Sequence, residues 1–263
     1  MDDVLSKIIA TKHDEVAHAK EQVSLSVMRE LALSAKPSRD FVGALKNKML
    51  KGEAAVIAEI KRASPSKGVL RQDFDPAAIA QSYEQHGAAC LSVLTDEEYF
   101  QGSIEYLREA RYASQLPILR KDFIVDEYQI FESKAVGADA ILLIVAALDD
   151  FQLSAFCQLS QSLGMAVLVE SHNEEELQRA LQLPTELMGI NNRNLKTFVT
   201  SLEVSLSLKD IVPQDRIVIT ESGIAVREDV ALMRQNGIHS FLVGEAFMRA
   251  LDPGQALAQL FKN

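Results

Sequence analysis

Two lysines and several carboxylates recur where short apolar runs end, and these are the side chains able to do chemistry. The run Ala55–Ile60 continues as Lys61-Arg62-Ala63-Ser64-Pro65-Ser66. Side chains alternate faces along a strand, so Glu59 and Lys61 project together with Ile60 opposite, a carboxylate and an ammonium on one side. A second lysine follows in Leu119-Arg120-Lys121-Asp122-Phe123, and Glu170 closes the apolar run that begins at Ala166. Further polar ends are Asn191-Asn192-Arg193, Glu221-Ser222-Gly223 and Gly244-Glu245. One charged residue at a strand end is often a solvated cap, but six of eight such runs ending this way is hard to assign to packing. Lysine can act as a general acid when its pKa falls toward neutrality, and carboxylates can move protons to and from carbon and oxygen. Lys61 and Lys121 are expected to lower one another's pKa, with Glu59 and Glu170 opposing that shift.

The elements that position these groups repeat. Strand-like runs occur at 55–60, 90–94, 117–119, 140–145, 166–169, 187–190, 216–220 and 241–243. Each is followed by an amphipathic helical segment: 76–86, 104–114, 127–136, 149–163, 173–181, 202–211, 227–236 and 253–261. The repeat averages roughly 26 residues, the length of a βα unit. Several runs are apolar on both faces, as parallel strands under helices must be. Gly87, Gly137, Gly164 and Gly237 precede strands where left-handed helix ends would sit. The expected fold is α/β, a (β/α)8 TIM barrel, because an open doubly wound sheet would carry a GxGxxG after its first strand and none is present. Residues 1–50 precede the repeat. Val4, Leu5, Ile8 and Ile9 form one apolar stripe and Phe41, Leu45 and Met49 another, which predicts two extra helices that cover the barrel or contribute to a substrate lid. A single barrel domain over 1–263, with 1–50 as an N-terminal helical extension, is expected.

In such barrels the active site lies at the C-terminal rim of the strands. Glycines after the seventh and eighth runs, Gly223 and Gly244, would expose backbone N–H groups where barrels commonly bind phosphate. A phosphorylated small-molecule substrate is therefore expected.

Composition narrows the classes. The 263 residues are 48% hydrophobic and 24% charged, an ordinary globular balance. Lys+Arg 27 against Asp+Glu 37 gives a net charge of −10, which argues against nucleic acid as a partner. The longest apolar run, Ala140–Leu148, is too short for a bilayer that needs about twenty residues. Cys90 and Cys157 stand far apart without a CxxC, which suits a reducing cytoplasm, and the N-terminus is unlike a signal peptide. No Walker A loop, HExxH, EF-hand loop or GxSxG occurs, and the histidines (His13, His18, His86, His172, His239) share no metal-ligand spacing. Each is read as a solvated or capping residue. Neither a metal nor a cofactor is expected.

The segments Ile57–Ser66, Leu94–Ser103, Pro117–Ile124, Gly189–Leu195 and Glu221–Ile224 resemble the indole-3-glycerol-phosphate synthase family nearly along the whole chain. The resemblance implies ring closure of 1-(2-carboxyphenylamino)-1-deoxy-ribulose 5-phosphate to indole-3-glycerol phosphate, with loss of carbon dioxide and water and without a cofactor. It implies Lys121 as general acid and Glu170 as acid/base, with Glu59, Lys61, Asn191 and Ser222 at the other catalytic positions. Arg193 and Glu221 would contact substrate, Phe100, Phe123 and Leu142 would form its apolar pocket, and Ser64, Gly223, Gly244 and Glu245 its phosphate region. Some members carry serine where this chain has Glu245, whose side chain is expected to turn away from phosphate and leave its backbone N–H. The chain ends at Asn263, so no fused isomerase domain is expected. A monomer or homodimer in the cytoplasm, without membrane contact, completes the reading. Phosphoribosylanthranilate isomerase and a non-catalytic sugar-phosphate-binding barrel are the alternatives; the first needs one acid/base pair and not two rim lysines.

Overall fold

A computed structural model describes residues 4–195 and 197–262. Eight parallel strands close into a barrel: β1 (Ala55–Ile60), β2 (Cys90–Leu94), β3 (Ile118–Lys121), β4 (Ala140–Ile144), β5 (Ala166–Ser171), β6 (Leu187–Asn191), β7 (Ile217–Glu221) and β8 (Ser240–Val243). Each pairs with its sequence neighbours, and β1 closes the ring on β8 with Ala55 opposite Ser240. A small hairpin, Ala63–Ser64 against Gly68–Val69, follows β1.

Ahead of the barrel lie α1 (Val4–Gln22), α2 (Leu25–Ser34) and α3 (Phe41–Leu50). After β1 to β5 come α4 (Pro76–Gln85), α5 (Ile104–Ala113), α6 (Glu127–Val136), α7 (Asp150–Ser162) and α8 (Glu174–Ala180). The last helices are α9 (Glu203–Leu208), α10 (Arg227–Gln235), α11 (Glu245–Met248) and α12 (Pro253–Leu260). Acidic and amide side chains start many of them: Asp126 and Asp149 form capping boxes with Gln129 and Gln152, and Asn173 caps α8. Gly87, Gly137, Gly164 and Gly237 take left-handed backbone at helix ends, with φ of 92°, 92°, 77° and 81°.

Among the described residues three helices, not two, precede the barrel. The additional one, α2, is capped by Ser24 and buries only Met28 and Ala32, while Val27, Leu31 and Leu33 stay exposed. Its apolar pattern therefore lacks the clean stripe that marks α1 and α3.

Strand alternation sorts the core into two layers. Val56, Ala58, Ile60, Leu91, Val93, Ile141, Leu143, Val167 and Val169 face the helices. Ala55, Ile57, Leu119, Ala140, Leu142, Leu168, Leu187, Ile217, Ile219 and Leu242 fill the interior, closed from below by Phe41 and Leu45 of α3. Glu59, Lys121, Glu170 and Glu221 continue the interior rows of their strands, so the alternation that buries the aliphatic layers also aims these four groups into the barrel mouth. Among the described residues no helix is long and apolar enough to cross a membrane.

Candidate active site

The C-terminal rim opens into one cavity, and every side chain singled out from the sequence lines it: Glu59, Lys61, Ser64, Phe100, Lys121, Phe123, Leu142, Glu170, Asn191, Arg193, Glu221, Ser222, Gly223, Gly244 and Glu245. Val4, Leu5 and Ile8 of α1 form part of the wall. Among the described residues no group of three or more His, Cys, Asp or Glu side chains is arranged to hold a metal ion.

At the floor, Lys121 Nζ lies 3.1 Å from Glu170 Oε2 and 3.3 Å from Glu221 Oε2. Lys61 pairs with Glu59 on β1. Asn191 Nδ2 donates to Glu170 Oε1 at 3.2 Å. Burial alone would lower the Lys121 pKa, but the charges of Glu170, Glu221 and Glu59 outweigh it and raise Lys121 above the ordinary lysine value. This corrects the expected lowering: the ammonium sits among three carboxylates, and their attraction exceeds the cost of burial. The two acids flanking Lys121 diverge. Burial and the neighbouring Glu170 raise Glu221, with Lys121 opposing, so it keeps a proton above the usual carboxylate range. Burial pushes Glu170 up as well, yet Lys121, His172 and Asn191 together hold it well below that range. Two acids whose environments separate their pKa values are the mark of divided acid and base duties. Both Glu221 carboxyl oxygens are buried without a well-aligned hydrogen-bond partner, which leaves them open to one from a ligand.

Two glycines make room for this cluster. A Cβ on Gly244 would run into the Glu59 side chain, and one on Gly189 would meet Glu221 Oε1 at 2.5 Å. Gly244 thus clears space for a carboxylate besides leaving its backbone open. After β7, Ser222 and Gly223 are both left-handed, with φ of 64° and 85°. The non-glycine at positive φ marks strain held by its surroundings at the rim.

The apolar wall includes Phe100 and Phe123, with ring centroids 6.0 Å apart, and Leu142. On the opposite side Arg193 meets Glu245 Oε2 at 3.3 Å through Nη2 and Ser66 Oγ at 3.3 Å through Nη1. Glu245 also pairs with Arg249 at 3.2 Å. Its side chain therefore faces the cavity and holds an arginine there, which corrects the expectation that it turns away.

Two residues beyond the sequence-derived set support the rim. Lys12 of α1 is buried against Asp96 at 2.8 Å and Asp122 at 3.2 Å, just beyond β2 and β3. His172 is largely enclosed between Glu170 and Glu176, so it is neither solvated nor a helix cap, which corrects that reading for His172, whereas His86 does cap the end of α4 and His18 is exposed. Each carried a signal: Lys12 lies in one stripe with buried Ile8 and Val16, and His172 stands two residues after Glu170, immediately beyond β5.

Solved structures with this architecture include tryptophan synthase subunit alpha from Legionella pneumophila str. Paris, at a TM-score of 0.61 and 13% identity, covering 84% of this chain and 97% of that one. The N-acetylmannosamine-6-phosphate 2-epimerase from Clostridium perfringens aligns with a TM-score of 0.60 and 15% identity over 76% of this chain and 91% of that one. At such identities the likeness concerns the fold. Sequence relatives are much nearer. An indole-3-glycerol phosphate synthase of Polaromonas sp. strain JS666 is 61% identical over 99% of both chains. One from Chromobacterium violaceum is 60% identical over 99% of this chain and 98% of its own. The family model described as indole-3-glycerol phosphate synthase matches residues 5–260. With that match over nearly its whole length, the chain belongs to the indole-3-glycerol phosphate synthase family.

Proposed function

We propose that Lys121, Glu170 and Glu221 carry the proton transfers of the family's ring closure, with Lys61, Glu59, Asn191 and Ser222 in support. Membership of the family makes the chain a carbon–carbon lyase of tryptophan biosynthesis, forming indole-3-glycerol phosphate. The substrate is 1-(2-carboxyphenylamino)-1-deoxy-ribulose 5-phosphate. Its aromatic carbon bearing the carboxylate attacks the ketone carbon, and the ketone oxygen takes a proton. Carbon dioxide then leaves, and its bonding electrons restore the aromatic ring. Loss of the new hydroxyl as water, with a proton from the adjacent ring carbon, completes the indole.

The observation that carries the assignment is Lys121 placed within 3.3 Å of two carboxylates with opposite pKa displacements. Lys121 is protonated in the resting site and so always loaded as an acid. An alkoxide forming at the ketone carbon is basic enough to take that proton even from a lysine of raised pKa. Glu170, ionised, is the base for the dehydration, while Glu221 in its protonated form supplies a second acid. Phe100, Phe123 and Leu142 receive the anilino ring. Ser64, Arg193, Gly223, Gly244 and the Glu245 backbone take the phosphate, next to the left-handed turn after β7. The substrate carboxylate meets the lysines before it leaves.

Residues 1–263 act on this reading as one barrel domain with 1–50 as its helical extension, a cytoplasmic monomer or homodimer. The test is direct. Incubated with the carboxyphenylamino-ribulose phosphate, the protein is expected to generate indole absorbance and fluorescence. Turnover of phosphoribosylanthranilate alone, or ligand binding with no turnover, would overturn the assignment.

A further inference from the structure

Glu170 is the most heavily partnered carboxylate of the mouth, and one of its partners does not line the cavity. Oε2 faces Lys121 and Oε1 accepts from Asn191. Oε1 also lies 3.2 Å from His172 Nε2, on a ring whose side chain is 9% exposed. The far side of the imidazole is fixed. Nδ1 lies 3.0 Å from Glu176 Oε2, and the His172 backbone N–H donates to the same oxygen at 2.8 Å. Glu176 is held in turn, because Asn173 Nδ2 donates to its Oε1 at 2.8 Å while Asn173 Oδ1 caps its backbone N–H at 2.9 Å. A carboxylate on one ring nitrogen orients the other, as in any carboxylate–histidine pair. Here the other nitrogen, Nε2, lies 3.2 Å from the proposed base as an ion-pair contact, without the alignment of a hydrogen bond.

We propose that His172 is a positioning residue for the ring closure: an imidazolium clamped by Glu176 that aims Glu170 into the cavity and holds it as a carboxylate. The proposal rests on Glu170 being the acid/base of the reaction. Lys121 alone cannot perform this duty, since it is shared with Glu221 and must release its proton to the substrate. When it does, Glu170 loses a cationic neighbour 3.1 Å away and becomes a competing destination for that proton. A second cation that never touches the substrate keeps Glu170 the weaker base at that moment. The titratable groups around the pair are Lys121 from β3, Glu221 from β7, Glu59 and Lys61 from β1, and Glu176 from α8. Burial would lower the His172 pKa, but the flanking Glu170 and Glu176 push it up to about 10, so the ring is charged throughout the working range.

Four full-length proteins test this: wild type, His172→Gln, Glu176→Gln and the double variant. Glutamine at 172 keeps a donor of similar reach without the charge. Removing an adjacent cation raises a carboxylate pKa by about one unit or more. The acid limb of the single-turnover rate should therefore move to higher pH by about that much in His172→Gln, with the high-pH plateau within a few-fold of wild type. Glu176→Gln lies outside the cavity and should move the limb the same way by less. In the His172→Gln background it should move it no further. A carbon-13 titration of the Glu170 carboxyl, assigned by its loss in Glu170→Gln, should show the same displacement without substrate. A rate depressed equally at all pH, with an unmoved carboxyl titration, would reduce His172 to packing and overturn the proposal. So would a Glu176→Gln effect that persists undiminished without His172. Full turnover by Glu170→Gln would instead overturn the acid/base reading of Glu170, and the carboxyl titration would still decide what His172 does to it.

Discussion

Replacing Lys12 by methionine removes the charge that fastens α1 to the barrel mouth while keeping most of the side-chain volume. The Lys12 side chain is 3% exposed, with Nζ at 2.8 Å from Asp96, 3.2 Å from Asp122 and 2.7 Å from Glu15. Burial would lower its pKa, yet the two aspartates raise it above the ordinary lysine value, so the pair interaction prevails over the desolvation. Removing one partner of a buried ion pair typically costs about 3–5 kcal/mol, because the other charge is left stranded. The stranded aspartates retain other partners. Asp96 accepts from the Tyr99 and Phe100 backbone N–H groups at 2.8 and 3.1 Å, and Asp122 keeps Thr95 at 2.5 Å and Arg120 at 3.1 Å. The lower end, about 3 kcal/mol, is therefore expected. If the whole fold bears the loss, Tm falls by about 6–12 °C, at about 2–4 °C per kcal/mol for a chain of this size.

The loss can instead be confined to the first half of α1, which is also tied by Thr11 Oγ1 to Tyr99 Oη at 2.9 Å, while Lys20 to Asp126 at 2.8 Å and Tyr128 Oη donating to Ala19 O at 3.3 Å hold its far end. In that case about 3 kcal/mol shifts the docking equilibrium by about 150-fold, and the helix opens locally before the barrel does. Val4, Leu5 and Ile8 then leave the cavity wall and KM rises. Urea unfolding, amide exchange along α1 and steady-state kinetics distinguish the two routes. Lys12→Met with an unchanged urea midpoint, unchanged exchange over Val4–Gln22 and unchanged KM would refute the reasoning.

Other perturbations reach the floor and the phosphate end. Lys121→Met and Glu170→Gln should each lower the single-turnover rate by about 10²–10⁴-fold with substrate still bound, and together by less than the product of the two; loss of affinity alone in Lys121→Met would shift the acid role to Lys61. Gly244→Ala would set a Cβ 2.9 Å from the Glu59 Cβ, so kcat/KM should drop at least tenfold with a stability loss of about 1–3 kcal/mol, measured by kinetics and thermal unfolding. Glu245→Gln removes a carboxylate beside the phosphate region; with about 1 kcal/mol of repulsion gone, KM should fall about fivefold, whereas a rise would mean that its grip on Arg193 matters more.

Much of the site was legible because two periodicities coincide. Glu59 follows Ile57, Lys121 follows Leu119, Glu170 follows Leu168 and Glu221 follows Ile219, each two residues along an inward row. Alternation decides the face, and the barrel rule decides the end. What alternation does not encode is which charge meets which. Lys121 reaches Glu170 across 49 residues of chain, and the number of acids gathered around it decides the sign of its pKa displacement. Lys12 and His172 were passed over for a related reason: a polar residue in a buried row reads as an exception until its partners are seen. Lys12 finds them beyond β2 and β3, His172 on the first turn of α8. The helix α2 was missed because only two of its apolar residues are buried.

The charge balance of the mouth bears on how a substrate with two anionic groups, a carboxylate and a phosphate, is held. Lys61 is engaged by Glu59, and Lys121 by Glu170 and Glu221. With Glu221 holding a proton, the two lysines and the two remaining carboxylates cancel, although the chain as a whole carries −10. A substrate carboxylate arriving beside the lysines therefore adds one negative charge to a neutral cluster. Its departure as carbon dioxide restores that balance, so the ground-state carboxylate is the form the cluster disfavours. On the proposed reading the phosphate is held by Arg193, drawn off Glu245, and by backbone donors where the chain turns left-handed at Ser222 and Gly223. Binding energy gathered at that end is then available to press the carboxylated ring toward the ring-closed geometry from which carbon dioxide departs.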